Sequence, residues 1–168
     1  MQELKALVAE VPDFPKPGIL FRDISPLMRL RFHETMSAVD ALFSDREWDE
    51  IDAIAGVESR GFIFASALAD RRKKGFVLIR KKGKLPPPVV DIAYELEYGT
   101  GVLEMPVGQG RLLLVDDVLA TGGTLLASAA LARQAGFIVQ RVGVLIDLGF
   151  VPGFRCEQHE VRSVLQYG

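Results

Sequence analysis

The sequence predicts an α/β fold with a mostly parallel central sheet flanked by helices. The main observation is alternation: between Ile51 and Ile146, apolar runs of strand length take turns with segments whose apolar residues recur at helical spacing. The second is size. With 168 residues, 49% of them hydrophobic and 25% charged, the chain suits a single globular domain with a sizeable core. A net charge of −2 provides no general field for nucleic acid, and no run of about 18 apolar residues predicts a membrane span. The single cysteine, Cys156, rules out an internal disulfide and points to a reducing, cytoplasmic setting.

Taken in order, Leu4, Leu7, Val8 and Val11 predict a short amphipathic helix ended by Pro12. Residues 13–18 are too proline-rich for regular structure. Residues 19–21 read as extended and 23–26 as a turn. Met36, Val39, Leu42 and Phe43 share one face of a second helix over residues 33–48. Residues 51–57 are a buried strand, interrupted by Glu58-Ser59-Arg60-Gly61. A helix follows over 62–72, with Ile63, Ala67 and Leu68 inward, and Gly75 stops it. Residues 76–79 form a second strand. From about Arg80 to Thr100 the chain reads as irregular, with Pro86, Pro87 and Pro88 in succession. Such a long segment in a compact domain points to a functional lid. Residues 102–105 suggest an edge strand, 112–115 a buried strand, and 124–134 an alanine-rich helix capped by Gly136. The last strong strand is 138–146. The segments before about Ser44 and after about Asp147 fall outside the alternation and are expected to cap the site.

Residues 112–124, Leu-Leu-Leu-Val-Asp-Asp-Val-Leu-Ala-Thr-Gly-Gly-Thr, are the most informative. An apolar strand runs into two carboxylates, Asp116 and Asp117. Then Ala120, Thr121, Gly122, Gly123 and Thr124 make a turn that opens a helix. Two residues without side chains let backbone N–H groups crowd one anion, and the helix N-terminus adds partial positive charge. No lysine follows the glycines, so this is not a Walker A loop. A phosphoacceptor aspartate would leave the Thr-Gly-Gly-Thr turn without a task. Carboxylates can accept hydrogen bonds from vicinal hydroxyls, so the string describes a site for ribose 5-phosphate.

The string resembles the phosphoribosyl-pyrophosphate-binding motif of the type I phosphoribosyltransferases. Asp13-Phe14-Pro15, Pro17-Gly18, Phe21-Arg22-Asp23-Ile24-Ser25-Pro26, Ser59-Arg60-Gly61-Phe62, Leu78-Ile79-Arg80-Lys81, Gly83-Lys84-Leu85-Pro86 and Leu96-Glu97-Tyr98-Gly99 are similar, in the same order, to the adenine-using branch of that family. The resemblance runs from about Val11 to Leu165-Gln166-Tyr167 and is weak after Leu148. It implies one domain over residues 1–168, with a small hood from about 1–30 and 147–168 and a flexible lid over about 81–100. It implies pyrophosphate contacts from Glu58, Ser59, Arg60, Gly61, Arg80, Lys81 and Lys84, and a non-proline cis peptide near Glu58-Ser59. Arg80 would reach the site of a neighbouring subunit, so a homodimer is implied.

By the same resemblance, Glu97 is the lid carboxylate that approaches the purine, and Glu97, Arg60 and Arg80 form the catalytic set. Tyr98 either closes over the ribose or packs as an ordinary aromatic. The base pocket is expected along Ile19, Leu20, Phe21 and Arg22, whose extended backbone offers alternating donors and acceptors, with Leu148 as an apolar wall. Phe21 stacks on the base or belongs to the core. Mg²⁺ is expected as cofactor, held by substrate and water rather than by a protein cage. The implied reaction joins adenine to the ribose 5-phosphate of phosphoribosyl pyrophosphate. Two other readings stay open on the sequence: a transferase for xanthine or hypoxanthine, and a non-catalytic sensor of phosphoribosyl pyrophosphate.

Overall fold

A computed structural model describes residues 2–96 and 99–168; Glu97 and Tyr98 lie outside the described residues. Helix α1 (Gln2–Lys5) is one turn long. The expected helix through Val11 is not present, because residues 9–12 form strand β1 (Ala9–Pro12) and pair antiparallel with β2 (Leu20–Asp23), Val11 opposite Phe21. Leu4 and Val8 are buried as the helical spacing required, but the backbone bonds available across β2 decide the conformation after Val8. The Asp13 carboxylate accepts the Gly18 N–H at 2.7 Å and closes the loop between the strands.

The second helix also differs from its expected bounds. Helix α2 (Ser25–Asp40) starts eight residues before His33, with Pro26 in its first turn and a non-helical Arg31 that kinks it. Trp48 belongs instead to α3 (Asp45–Asp49). Ser44 and Glu47 form a reciprocal capping box there, and this local signal ends the longer periodicity.

The central alternation holds. It consists of β3 (Ala53–Val57), α4 (Gly61–Arg72), β4 (Gly75–Lys81), β5 (Val89–Leu96), β6 (Gly99–Pro106), β7 (Gly110–Leu119), α5 (Gly123–Gln134), β8 (Phe137–Asp147), β9 (Arg155–Cys156) and β10 (His159–Gln166). The sheet order is β5-β6-β4-β3-β7-β8-β10-β9. Strands β4, β3, β7, β8 and β10 are mutually parallel, and β6 joins β4 antiparallel. The expected α/β class with a mostly parallel sheet is therefore present.

Three strand assignments change. The stretch expected to be irregular contains β5, paired with β6 from Val89↔Pro106 to Leu96↔Gly99. Strand β6 is flanked on both sides, so β5 forms the edge. Residues 159–166 give the sheet a strand that the sequence reading had not counted.

The core lies on both sheet faces. Leu113 and Val115 pack with α2 and α4, whereas Leu112 and Leu114 pack with α5, following the period-two alternation of β7. Each buried leucine contributes roughly 2 kcal/mol of transfer free energy. Helix α4 lies so close to β3 that a Cβ at Gly56 would stand 2.7 Å from the Ala65 Cβ. Ile63 faces outward, 42% exposed, and Phe64, Ala65 and Leu68 take the inner face instead. Among the described residues no helix is long and apolar enough to cross a membrane.

Candidate active site

The strand carrying the two carboxylates is longer than expected. Strand β7 continues to Leu119, so Asp116 and Asp117 sit within its final residues, with Asp116 in register with Val144 of β8. Beyond it Ala120, Thr121, Gly122, Gly123 and Thr124 line a small cavity of about 70 Å³. Gly122 caps α5 with φ 86° and offers no side-chain acceptor, so the first N–H groups of the helix keep their bonding capacity for another anion. All five residues expected to hold a phosphate meet here.

Asp117 is 6% exposed. Its Oδ2 lies 2.8 Å from Arg60 Nε, but off the N–H direction, so this buried oxygen accepts no well-aligned hydrogen bond. An orphaned acceptor beside a guanidinium suits an incoming hydroxyl donor. Asp116 Oδ1 accepts the Asp117 N–H at 2.9 Å. Burial, then the Asp117 charge, push the Asp116 carboxyl well above the usual carboxylate range. Burial raises Asp117 as well, and Arg60 opposes that rise.

The turn from β3 into α4 supplies the adjoining wall. Its Glu58–Ser59 peptide is cis, where the family resemblance put one. A Cβ at Gly61 would come within 3.0 Å of Asp116 Oδ1, so only glycine lets this turn approach the carboxylates so closely. The Glu58 carboxylate faces the other way. It accepts from Arg80 Nε and from the Lys81 N–H, each at 3.1 Å. Burial opposes its charge, but the Lys81 and Arg80 contacts outweigh that and hold its pKa below the ordinary value. The Glu58 N–H donates to the Ile79 carbonyl at 2.9 Å, so neither the carboxylate nor the N–H of Glu58 is turned toward an incoming anion, and contact at this turn falls to Ser59, Arg60 and Gly61. Within the described residues no ion pair joins Arg80 to the Asp116–Asp117 pair; its guanidinium donates to Glu58 and to the Lys84 carbonyl. Lys81 and Lys84 are exposed. The loop bearing Lys84 is shaped by Glu104, a buried residue that sequence reasoning missed, which accepts the N–H groups of Gly83, Lys84 and Leu85 at 2.6–2.9 Å.

A larger cavity of about 440 Å³ adjoins the phosphate turn and shares Val118 and Ala120 with it. Leu20, Phe21, Arg22 and Leu148, the four residues expected to contact a base, all line it, with Ile19 and Arg60. Strand β2 belongs to a two-stranded sheet, so its second backbone edge is unpaired by any strand. The Phe21 ring packs edge-on to Phe14 at 5.1 Å and lies 5.3 Å from the Arg60 guanidinium. The Arg22 side chain pairs with Glu10 and lies 4.1 Å over the Tyr167 ring. That leaves its backbone as the group suited to a base. Leu148 is tied to the string by its N–H, which donates to the Leu119 carbonyl at 3.0 Å.

Phe150 and Val118 also line the cavity and were not foreseen. Neither was Tyr94, whose hydroxyl pKa is pushed up by burial, with the neighbouring Thr124 side chain opposing that rise. Its ring lies over Gly101, where a Cβ would be 2.7 Å away. The expected roles of Glu97 and Tyr98 fall outside the described residues.

Comparison with known proteins gives a consistent result. The profile of the family described as "Phosphoribosyl transferase domain" matches residues 32–148. The chain is 49% identical over 166 residues to an adenine phosphoribosyltransferase of Bdellovibrio bacteriovorus, covering 98% of this chain and 99% of that protein. It is 51% identical to one of Hydrogenovibrio crunogenus, covering 94% and 92%. Among solved structures, adenine phosphoribosyltransferase from Thermoanaerobacter pseudethanolicus superposes with a TM-score of 0.87 at 38% identity, covering 99% of both chains. The Saccharomyces cerevisiae enzyme, solved with an imino-altritol bisphosphate and adenine, gives a TM-score of 0.89 at 34% identity, covering 97% of both.

Proposed function

Since the chain belongs to the type I phosphoribosyltransferase family, among its adenine phosphoribosyltransferases, we propose how its own residues convert adenine and phosphoribosyl pyrophosphate to AMP and pyrophosphate. The carrying observation is adjacency. The purine-sized cavity and the phosphate-sized cavity share Val118 and Ala120, and Arg60 lines the larger one while pairing with Asp117.

Residues 120–124 hold the 5′-phosphate at the helix N-terminus. Asp116 and the orphaned Asp117 Oδ2 accept the ribose 2′- and 3′-hydroxyls. The backbone of residues 59–61 and the side chains of Arg60, Lys81 and Lys84 take the pyrophosphate, with Arg80 of a second subunit. Adenine enters along Leu20, Phe21 and Arg22, where the free edge of β2 reads its amino group and ring nitrogen, and Leu148 covers its face. N9 then displaces pyrophosphate at the anomeric carbon. Positive charge develops on the ribose ring, so positioning and charge stabilisation are the main contributions. Glu97, which follows β5, manages the purine imidazole proton, and closure of residues 81–100 excludes water that would capture the ribose.

The described residues contain no cluster of three or more metal-ligating side chains. Substrate oxygens and water suit a hard cation beside two carboxylates, so Mg²⁺ fits without a protein cage. When bound it neutralises charge on the departing pyrophosphate.

A homodimer is the assembly we favour, in the cytoplasm. Its support is an exposed apolar face. Ile63 is 42% and Phe76 39% exposed, and the Phe62 and Phe76 rings meet at 6.0 Å close to Arg80. Residues 1–30 and 147–168 serve as the hood of a single domain.

Mixing the protein with adenine, phosphoribosyl pyrophosphate and Mg²⁺ should yield AMP and pyrophosphate in equal amounts, and EDTA should stop the reaction. Turnover that continues at the same rate in EDTA would remove Mg²⁺ from the proposal. Pyrophosphate release without AMP would mean hydrolysis rather than transfer.

A further inference from the structure

The turn assigned to the 5′-phosphate is shaped by a residue remote from it in sequence. At Gly122 the space a Cβ would occupy is filled by Phe154: that Cβ would lie 2.1 Å from the ring Cε2 and 2.2 Å from Cζ. Carbon atoms need roughly 3.5 Å, so any side chain at position 122 would evict the ring. Gly122 is thus constrained twice, by its φ of 86° and by Phe154.

Phe154 ends the loop over residues 148–154, which leaves the purine cavity and is tied to the same motif at both ends. At its start the Leu148 N–H bonds the Leu119 carbonyl at 3.0 Å. At its end the ring covers Gly122, and the Phe154 N–H bonds the Val151 carbonyl at 3.1 Å. Two residues later the fully buried Cys156 donates its S–H to the Leu125 carbonyl, near the start of α5, at 3.4 Å. Leu148 and Phe150 line the purine cavity. One short loop therefore touches the base site at its beginning and the phosphate turn at its end.

We infer that Phe154 is a positioning residue for the phosphate turn, and that residues 148–154 couple the purine site to it. The inference rests on the phosphate reading of residues 120–124. The turn holds two consecutive glycines, and its helix lacks a side-chain cap, so the ring supplies a steric limit that the turn's own side chains do not. A base seated against Leu148 and Phe150 restrains the loop that holds the turn, so adenine and the sugar phosphate should bind synergistically.

The test uses the full chain with Phe154→Ala, Phe154→Leu and Thr124→Val, read by steady-state kinetics and by calorimetric binding of ribose 5-phosphate. Phe154→Ala should raise the KM for phosphoribosyl pyrophosphate about tenfold while changing kcat less than about threefold. It should leave the affinity of the free protein for adenine unchanged. Phe154→Leu should recover most of the loss. If Phe154→Ala does not fold, Phe154→Leu carries the test, with an expected KM rise of about threefold.

A merely structural role would lower the melting temperature and the active fraction, and leave KM unmoved. An unchanged KM in the folded Phe154 variants, with ribose 5-phosphate binding weakened in Thr124→Val, overturns the positioning role and leaves the phosphate site standing. Unchanged ribose 5-phosphate binding in Thr124→Val overturns the phosphate reading itself and the inference with it.

Discussion

Exchanging Asp116 and Asp117 together for Asn should leave a folded protein that has lost ribose recognition. The expected loss is about 2–5 kcal/mol of transition-state binding, or roughly 30-fold to several thousand-fold in kcat/KM. The cause is specific to these positions. Asp117 Oδ2 is buried without an aligned donor, and Asp116 is pressed by the Gly61 turn, so both are held ready for hydroxyl donors that Asn would meet with one acceptor oxygen instead of two.

Stability should move the other way. Burial, then Asp117, raise the Asp116 pKa above its ordinary 3.8. A raised carboxyl pKa means that the native state binds more protons than the unfolded chain. Stability is then fully present below about the ordinary value and is lost as pH rises through the raised native value. Removing both charges removes that loss, so the double variant should melt at or above the parent temperature at neutral pH. An active double variant with unchanged substrate affinity would sink the ribose assignment. An inactive one that melts far below the parent would show a folding role instead.

Two inactive proteins should regain activity on mixing. Arg80→Ala chains and chains carrying both Asp116→Asn and Asp117→Asn are each expected to be inactive as homodimers. If Arg80 acts across the interface, one site in the hybrid lacks both contributions and the other lacks neither, so a statistical mixture should recover activity from that intact site. Within its own chain Arg80 bonds Glu58 and the Lys84 carbonyl, a posture that keeps it beside the half-buried Phe62 ring, which packs on the exposed Phe76. Absence of recovery, with hybrids confirmed by native mass spectrometry, would assign Arg80 to its own site.

The parts of the site that the sequence disclosed were those whose chemistry is local. Asp116, Asp117 and residues 120–124 follow one another along strand, turn and helix, so their types and order suffice to name a sugar-phosphate site. Leu20, Phe21, Arg22 and Leu148 required the family resemblance, because only the fold brings Leu148 opposite β2. Phe154 on Gly122 left no local mark: an aromatic residue near a chain end has many possible neighbours, and the contact exists only once β9 and β10 have docked.

The missed strands have a related cause. In β5 half-buried and exposed positions do alternate from Val90 to Tyr94, but Pro86, Pro87 and Pro88 before it suggested a loop. At residue 44 the sequence did contain the answer, since Ser44 and Glu47 have capping-box spacing, but the longer helical periodicity masked it.

The central claim is that this pocket reads adenine. A panel of adenine, hypoxanthine, guanine and xanthine, each with phosphoribosyl pyrophosphate and Mg²⁺, tests it through kcat/KM. The 6-oxo purines present a carbonyl where adenine presents an amino donor, and a backbone carbonyl on the free edge of β2 would be left facing it unpaired. Adenine should therefore exceed each of them by roughly 10³-fold or more. Turnover of hypoxanthine or guanine within about tenfold of adenine would contradict the account, as would a failure to form AMP from adenine at all.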